Sequence, residues 1–151
     1  MAAFLLIDGP ARLFLSDLRT FVRSPRFWLH AGAVWLLASS AAHMSGFKAP
    51  GLFFYFDIPS YPYQDKVISV LLFAMSMFFL FAADTVEERP VALIYVLSAL
   101  VAALVGFSAI NLSHEFRGLG PRTAAYWAAV AVSAVYTAWL AFLYFDSKRS
   151  K

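Results

Sequence analysis

Residues 91–114 read VALIYVLSALVAALVGFSAINLSH, an unbroken run with no Lys, Arg, Asp or Glu. A helix of that length rises ~36 Å at about 1.5 Å per residue, enough to cross a hydrocarbon core roughly 30 Å thick. Three more such runs lie on either side of it, Phe27–Phe47, Val67–Ala83 and Thr123–Phe145. All 12 basic and 9 acidic side chains fall outside these runs or at their edges. Lipid enforces that segregation, because a charge at mid-membrane costs roughly 2.5–3.5 kcal/mol or more. The sequence therefore predicts an all-α polytopic membrane protein of one domain, 1–151, with spans over about 25–47, 66–84, 90–114 and 122–145.

Composition agrees. Hydrophobic residues make up 62% and charged residues 14%, against about 45–50% and 25% in soluble domains. One soluble core of this size has no room for that much apolar surface. With no cysteine, disulfides, thiolate metal sites and cysteine nucleophiles are excluded. The net charge of +3 sits beside the apolar runs, where membrane lipids rather than nucleic acid are the expected partner. Residues 1–7 lack the charged region and length of a secretory signal, so the first span is expected to act as an uncleaved anchor.

Residues 11–23 are read as an amphipathic interfacial helix. Phe14, Leu18, Phe21 and Val22 share one face, with Arg12, Arg19 and Arg23 placed to reach headgroups. Ser24-Pro25 supplies an N-cap and a first-turn proline for the next helix. Ala49-Pro50-Gly51 ends that span, and residues 48–65, rich in Phe, Tyr and Pro, form an irregular connection expected to cap the bundle or lie at the interface. Asp84–Pro90 and Phe116–Arg122 are short turns. Arg12, Arg19, Arg23, Arg26, Arg89, Lys148, Arg149 and Lys151 fall on one side, and Lys48, Lys66, Arg117 and Arg122 on the other. The positive-inside rule then puts both termini in the cytoplasm, and the alanine-rich composition points to a bacterial cytoplasmic (inner) membrane.

Candidate sites are few. His43 and His114 are expected at one depth, where two histidines from different helices would hold a b-type haem. Asn111 and Glu115 lie four apart beside His114, a polar outer cluster suited to a quinone headgroup, an ion or a proton relay, or simply to capping the helix. Phe73, Phe78, Phe79 and Phe81 give the second span a bulky face for lipid, a partner subunit or a cofactor. Ala102 and Gly106 on the third span, and Ala129 and Ser133 on the fourth, have the small-xxx-small spacing that lets helices approach closely, so these two spans are expected to pack tightly together.

No metal site, phosphate loop or nucleophile motif is visible, and no span carries a charge at mid-depth. The leading expectation is a non-catalytic integral-membrane subunit, or assembly partner, of a larger complex, energy-transducing or electron-transferring. Alternatives are a small homo-oligomeric transporter or channel, with Ser98, Ser133 and Thr137 lining a path, and a haem- or quinone-binding redox protein.

Overall fold

The computed structural model describes residues 21–114 and 123–149. Among them are four helices and no strand: α1 (Pro25–Ser45), α2 (Pro62–Thr85), α3 (Val91–Leu112) and α4 (Thr123–Arg149). Three are long and apolar enough to cross a membrane: Pro62–Thr85, Val91–Leu112 and Thr123–Ser147. α1 matches them in length but is diluted by His30, Gly32, Ser39, Ser40 and His43. The expected interfacial helix, 11–23, lies outside the described residues except for its end, where Phe21 and Val22 are helical.

The helix ends follow local chemistry. Ser24 takes the N-cap position of α1 with Pro25 at the first turn, although its hydroxyl makes no cap bond. Gly46 ends α1 in the left-handed conformation, φ 73°. That geometry lets Gly46 N–H reach His43 O (3.3 Å) and Phe47 N–H reach Ala42 O (3.0 Å), the paired closure that satisfies terminal carbonyls. α2 starts four residues before the expected Lys66, because Pro62 occupies a first-turn position where its missing N–H costs nothing. Gln64 Oε1 closes that turn by accepting from Tyr61 N–H (3.1 Å). The shift places Asp65 on a helix face instead of in the loop. α4 runs beyond the expected end at 145, to Arg149.

The chain forms two antiparallel hairpins. Along α1 the residues Leu29, Ala33, Leu36, Ser40 and His43 are buried or half-buried, and along α2 Asp65, Ser69, Leu72, Ser76, Phe79 and Ala83. Both rows step by alternate threes and fours, the 3.5-residue repeat of a left-handed helix pair. Phe79 therefore turns inward (2% exposed) and Phe78 packs against the core, while Phe73 and Phe81 stay exposed. The bulky face expected of α2 is split by the seam.

The α3–α4 pair uses large residues. Its row on α3 is Leu93, Leu97, Leu100, Leu104, Phe107 and Asn111, facing the α4 row Tyr126, Val130, Ser133, Thr137, Leu140 and Tyr144. Ala129 and Ser133 are half-buried, but Ala102 and Gly106 are exposed, and none of the described residues lies within 4 Å of where a Gly106 Cβ would stand. The small residues of α3 thus point away from α4. The apolar core gathers at one end, around Leu29, Ala33, Phe79, Ala83, Leu93 and Leu140.

Candidate functional site

At the other end the α1–α2 seam becomes polar. Ser40 Oγ donates to Ser69 O (2.9 Å) and Ser69 Oγ donates to Ser40 O (2.8 Å), a reciprocal clamp between the helices. One turn further out, His43 Nδ1 lies 3.3 Å from Asp65 Oδ1, with His43 8% and Asp65 7% exposed. That bond requires the proton on Nδ1. Asp65 Oδ2 accepts from Ser60 Oγ (2.7 Å). Ser60 Oγ in turn accepts from Lys48 Nζ (2.8 Å), which also donates to Ile58 O (2.9 Å).

The Lys48 cation and the Asp65 carboxylate share one hydrogen-bonded chain through Ser60. Such a chain can be buried more cheaply than a lone charge, since each polar atom finds a partner. It is not a hydrolase triad, because the serine and the histidine both bond the carboxylate and not one another. What it can do is hold a proton in place and fasten the loop.

The loop between α1 and α2 is fastened throughout. Phe53, buried, stacks on the His43 ring with centroids 3.6 Å apart. Phe54 stacks on Phe107 of α3 at 4.0 Å. Tyr55 OH donates to Asn111 Oδ1 (3.1 Å), and burial pushes the Tyr55 phenol above its ordinary pKa. Tyr126 OH of α4 donates to Asp57, and Trp35 Nε1 donates back to Gly51 O (3.1 Å). The aromatic loop is therefore a cap over all four helices. Asn111 is 5% exposed, and its Nδ2 has no hydrogen-bond partner among the described residues.

The sequence-derived candidates scatter across this end. His43 is buried against Asp65 and Phe53, whereas His114 is exposed at the end of α3. Asn111 turns toward Tyr55, and Glu115 lies outside the described residues. Ser98, Ser133 and Thr137 each donate to the carbonyl four residues earlier on their own helix, at 2.8–2.9 Å. Hydroxyls used that way are already satisfied. No group of three metal-ligating side chains occurs among the described residues.

Sequence reasoning does not single out Asp65, Ser60 or Lys48, because a proline-rich loop hides the start of α2. The signal is the spacing Asp65-Ser69-Leu72-Ser76, which continues the helical seam seven residues past its last apolar position, Leu72. No protein-family model, curated protein or solved structure matches this chain.

Proposed function

We propose that this protein is a non-catalytic integral-membrane subunit that stabilises a larger membrane complex. In this reading α1 is the fourth span, both termini face the cytoplasm, and the membrane is a bacterial inner membrane. The observation that carries it is α3. Only 11% of its most apolar stretch is buried within the protein. Its exposed side presents Ala102, Ala103 and Gly106, with open space at Gly106. Small residues on a lipid-facing helix allow another helix to approach closely, and in lipid such packing replaces the hydrophobic driving force. The polar groups of the cap, by contrast, are largely engaged with one another.

The test uses the absence of native cysteine. Gly106→Cys, cross-linked in the native membrane and then gently solubilised, should trap one defined partner chain. Val132→Cys on the exposed side of α4 serves as the comparison. A free monomer with no adduct from Gly106→Cys refutes the reading.

A second reading is favoured by the unpartnered Asn111 Nδ2, a buried donor beside the aromatic cluster of Tyr55, Phe107 and Tyr126. Such a donor suits a quinone carbonyl. Extraction of the purified protein should then yield quinone in the parent and lose it in Asn111→Leu; none in the parent dismisses it.

A further inference from the structure

The hydroxyl clamp has an outer side. Between α1 and α2 runs a furrow of about 410 Å³ lined by Leu37, Ser40, Ala41, Met44, Ser69, Val70 and Phe73. Its walls are apolar and exposed, Met44 at 52%, Val70 at 60% and Phe73 at 51%. Its floor offers no free hydroxyl, since Ser40 and Ser69 bond each other's carbonyls. A groove with satisfied polar atoms and apolar walls accepts a hydrocarbon chain and rejects a polar group. From Leu37 to Met44 it extends ~10 Å along α1 at about 1.5 Å per residue.

The head of the furrow is charged. Tyr63, Lys66, Val70 and Phe73 fall at helical spacing on one face of α2, so Lys66 stands one turn beyond the furrow on the same stripe. Helical side chains lean toward the N-terminus, which carries the ammonium outward from the span. Lys66 is exposed, and no carboxylate among the described residues pairs with it; neighbouring Asp65 faces inward to His43 and Ser60. Phe47 and Tyr63, 65% and 64% exposed, flank this end as aromatic side chains do at headgroup level.

We propose that the α1–α2 furrow binds an anionic phospholipid, with one acyl chain against Leu37, Ala41, Met44, Val70 and Phe73 and the phosphate at Lys66. The proposal rests on α1 and α2 standing in a bilayer and is independent of any partner at α3.

The experiment is native mass spectrometry of the full chain from nanodiscs containing equal phosphatidylglycerol and phosphatidylcholine. Retained phosphatidylglycerol should exceed phosphatidylcholine by about fivefold, the factor one basic side chain carries at an anionic surface. Lys66→Gln should equalise the two lipids. Ala41→Phe and Val70→Trp, which fill the furrow from either helix, should each strip both lipids while helix content holds. Arg89→Gln, exposed in the α2–α3 turn, should change nothing.

Equal retention by the parent protein overturns the proposal, as does a preference that survives Lys66→Gln or lipid retained in both filled variants. Displacement of the lipid by inorganic phosphate assigns the site to a free anion and overturns it too. A lone monomer that still selects phosphatidylglycerol would separate this result from the failure of the subunit reading.

Discussion

Gly32→Ala should weaken this fold more than any other single-methyl addition in α1. A Cβ at Gly32 would meet Tyr136 OH and lie 2.8 and 2.9 Å from two ring carbons of Phe79. Carbon atoms rest at about 3.5–4.0 Å, so something must move. Phe79 is a buried core ring with little freedom to retreat. The Tyr136 hydroxyl is tethered, donating to Trp28 O at 2.6 Å. Overpacking costs about 1–3 kcal/mol, and a lost interhelical hydrogen bond in a membrane protein adds about 0.6 kcal/mol.

The expected loss is therefore about 2–3 kcal/mol, or about 5–10 °C in Tm for a chain of this size. Unfolding by SDS titration, followed through tryptophan fluorescence, reads it, since Trp28 and Trp139 pack edge to face beside the site. Two companions sharpen the test. Gly106→Ala, with nothing within 4 Å, should be neutral or slightly stabilising. Tyr136→Phe should cost about 0.6 kcal/mol alone and, combined with Gly32→Ala, recover part of the loss, giving a coupling above about 0.5 kcal/mol. Gly32→Ala within about 0.5 kcal/mol of the parent, or strict additivity with Tyr136→Phe, refutes the close approach as the cause.

Three further outcomes are expected. Asp65→Ala should cost about 1–3 kcal/mol by leaving the buried His43 Nδ1–H without its acceptor and should speed amide exchange across residues 46–61; Asp84→Ala, which breaks only exposed pairs with Arg26 (3.6 Å) and His30 (3.9 Å), should cost less than about 1 kcal/mol. Ser40→Ala and Ser69→Ala should each cost about 0.6–1.7 kcal/mol and together less than their sum, because they delete the two halves of one clamp. Burial raises the Tyr55 pKa, so its contribution to the cap is complete below the unfolded phenol value of about 10 and is lost as pH rises through the folded one; alkaline titration of loop exchange should show that limb, and Tyr55→Phe should remove it.

The helices were legible because charge exclusion and length are properties of single stretches. Val91–Leu112 needed no tertiary information, and Ser24-Pro25 and Pro90 mark the start of α1 and the α2–α3 turn by backbone chemistry alone, whereas α1 stops at Gly46, ahead of the expected break at Ala49-Pro50-Gly51. The polar seam was not legible in the same way. His43 and Asp65 lie 22 residues apart on either side of three prolines, and only the antiparallel pairing of α1 with α2 makes them neighbours. The third and fourth spans do pair, but the small residues of α3 are not the ones that face α4, for a related reason. Ala102 and Gly106 allow close approach but do not say to what, and the α3 row that faces inward is the leucine row ending in Phe107 and Asn111. Phe79 shows the converse, since a phenylalanine-rich helix looks uniformly bulky until the seam selects which ring enters it.

The cap explains why two hairpins stay together in a chain whose apolar core is confined to one end. Irregular backbone is tolerated at membrane depth only where its polar groups are satisfied within the protein. Trp35 precedes His43 by eight residues, ~12 Å along α1 at about 1.5 Å per residue, yet it donates to Gly51 O in the loop. The loop must therefore descend alongside the helix. Its groups are matched accordingly: Phe53 N–H bonds Ala49 O (3.1 Å), Ile58 N–H bonds Tyr55 O (3.2 Å), and Ile58 O accepts from Lys48. The rings of Phe53, Phe54 and Tyr55 then reach α1, α3 and α4 in turn. Residues committed to holding the helix ends in this way are poor candidates for recognising a partner, because each would first have to give up an internal contact. Surface free of that cost lies along α3, which is why the subunit reading places the partner there and assigns the cap to holding the bundle in shape.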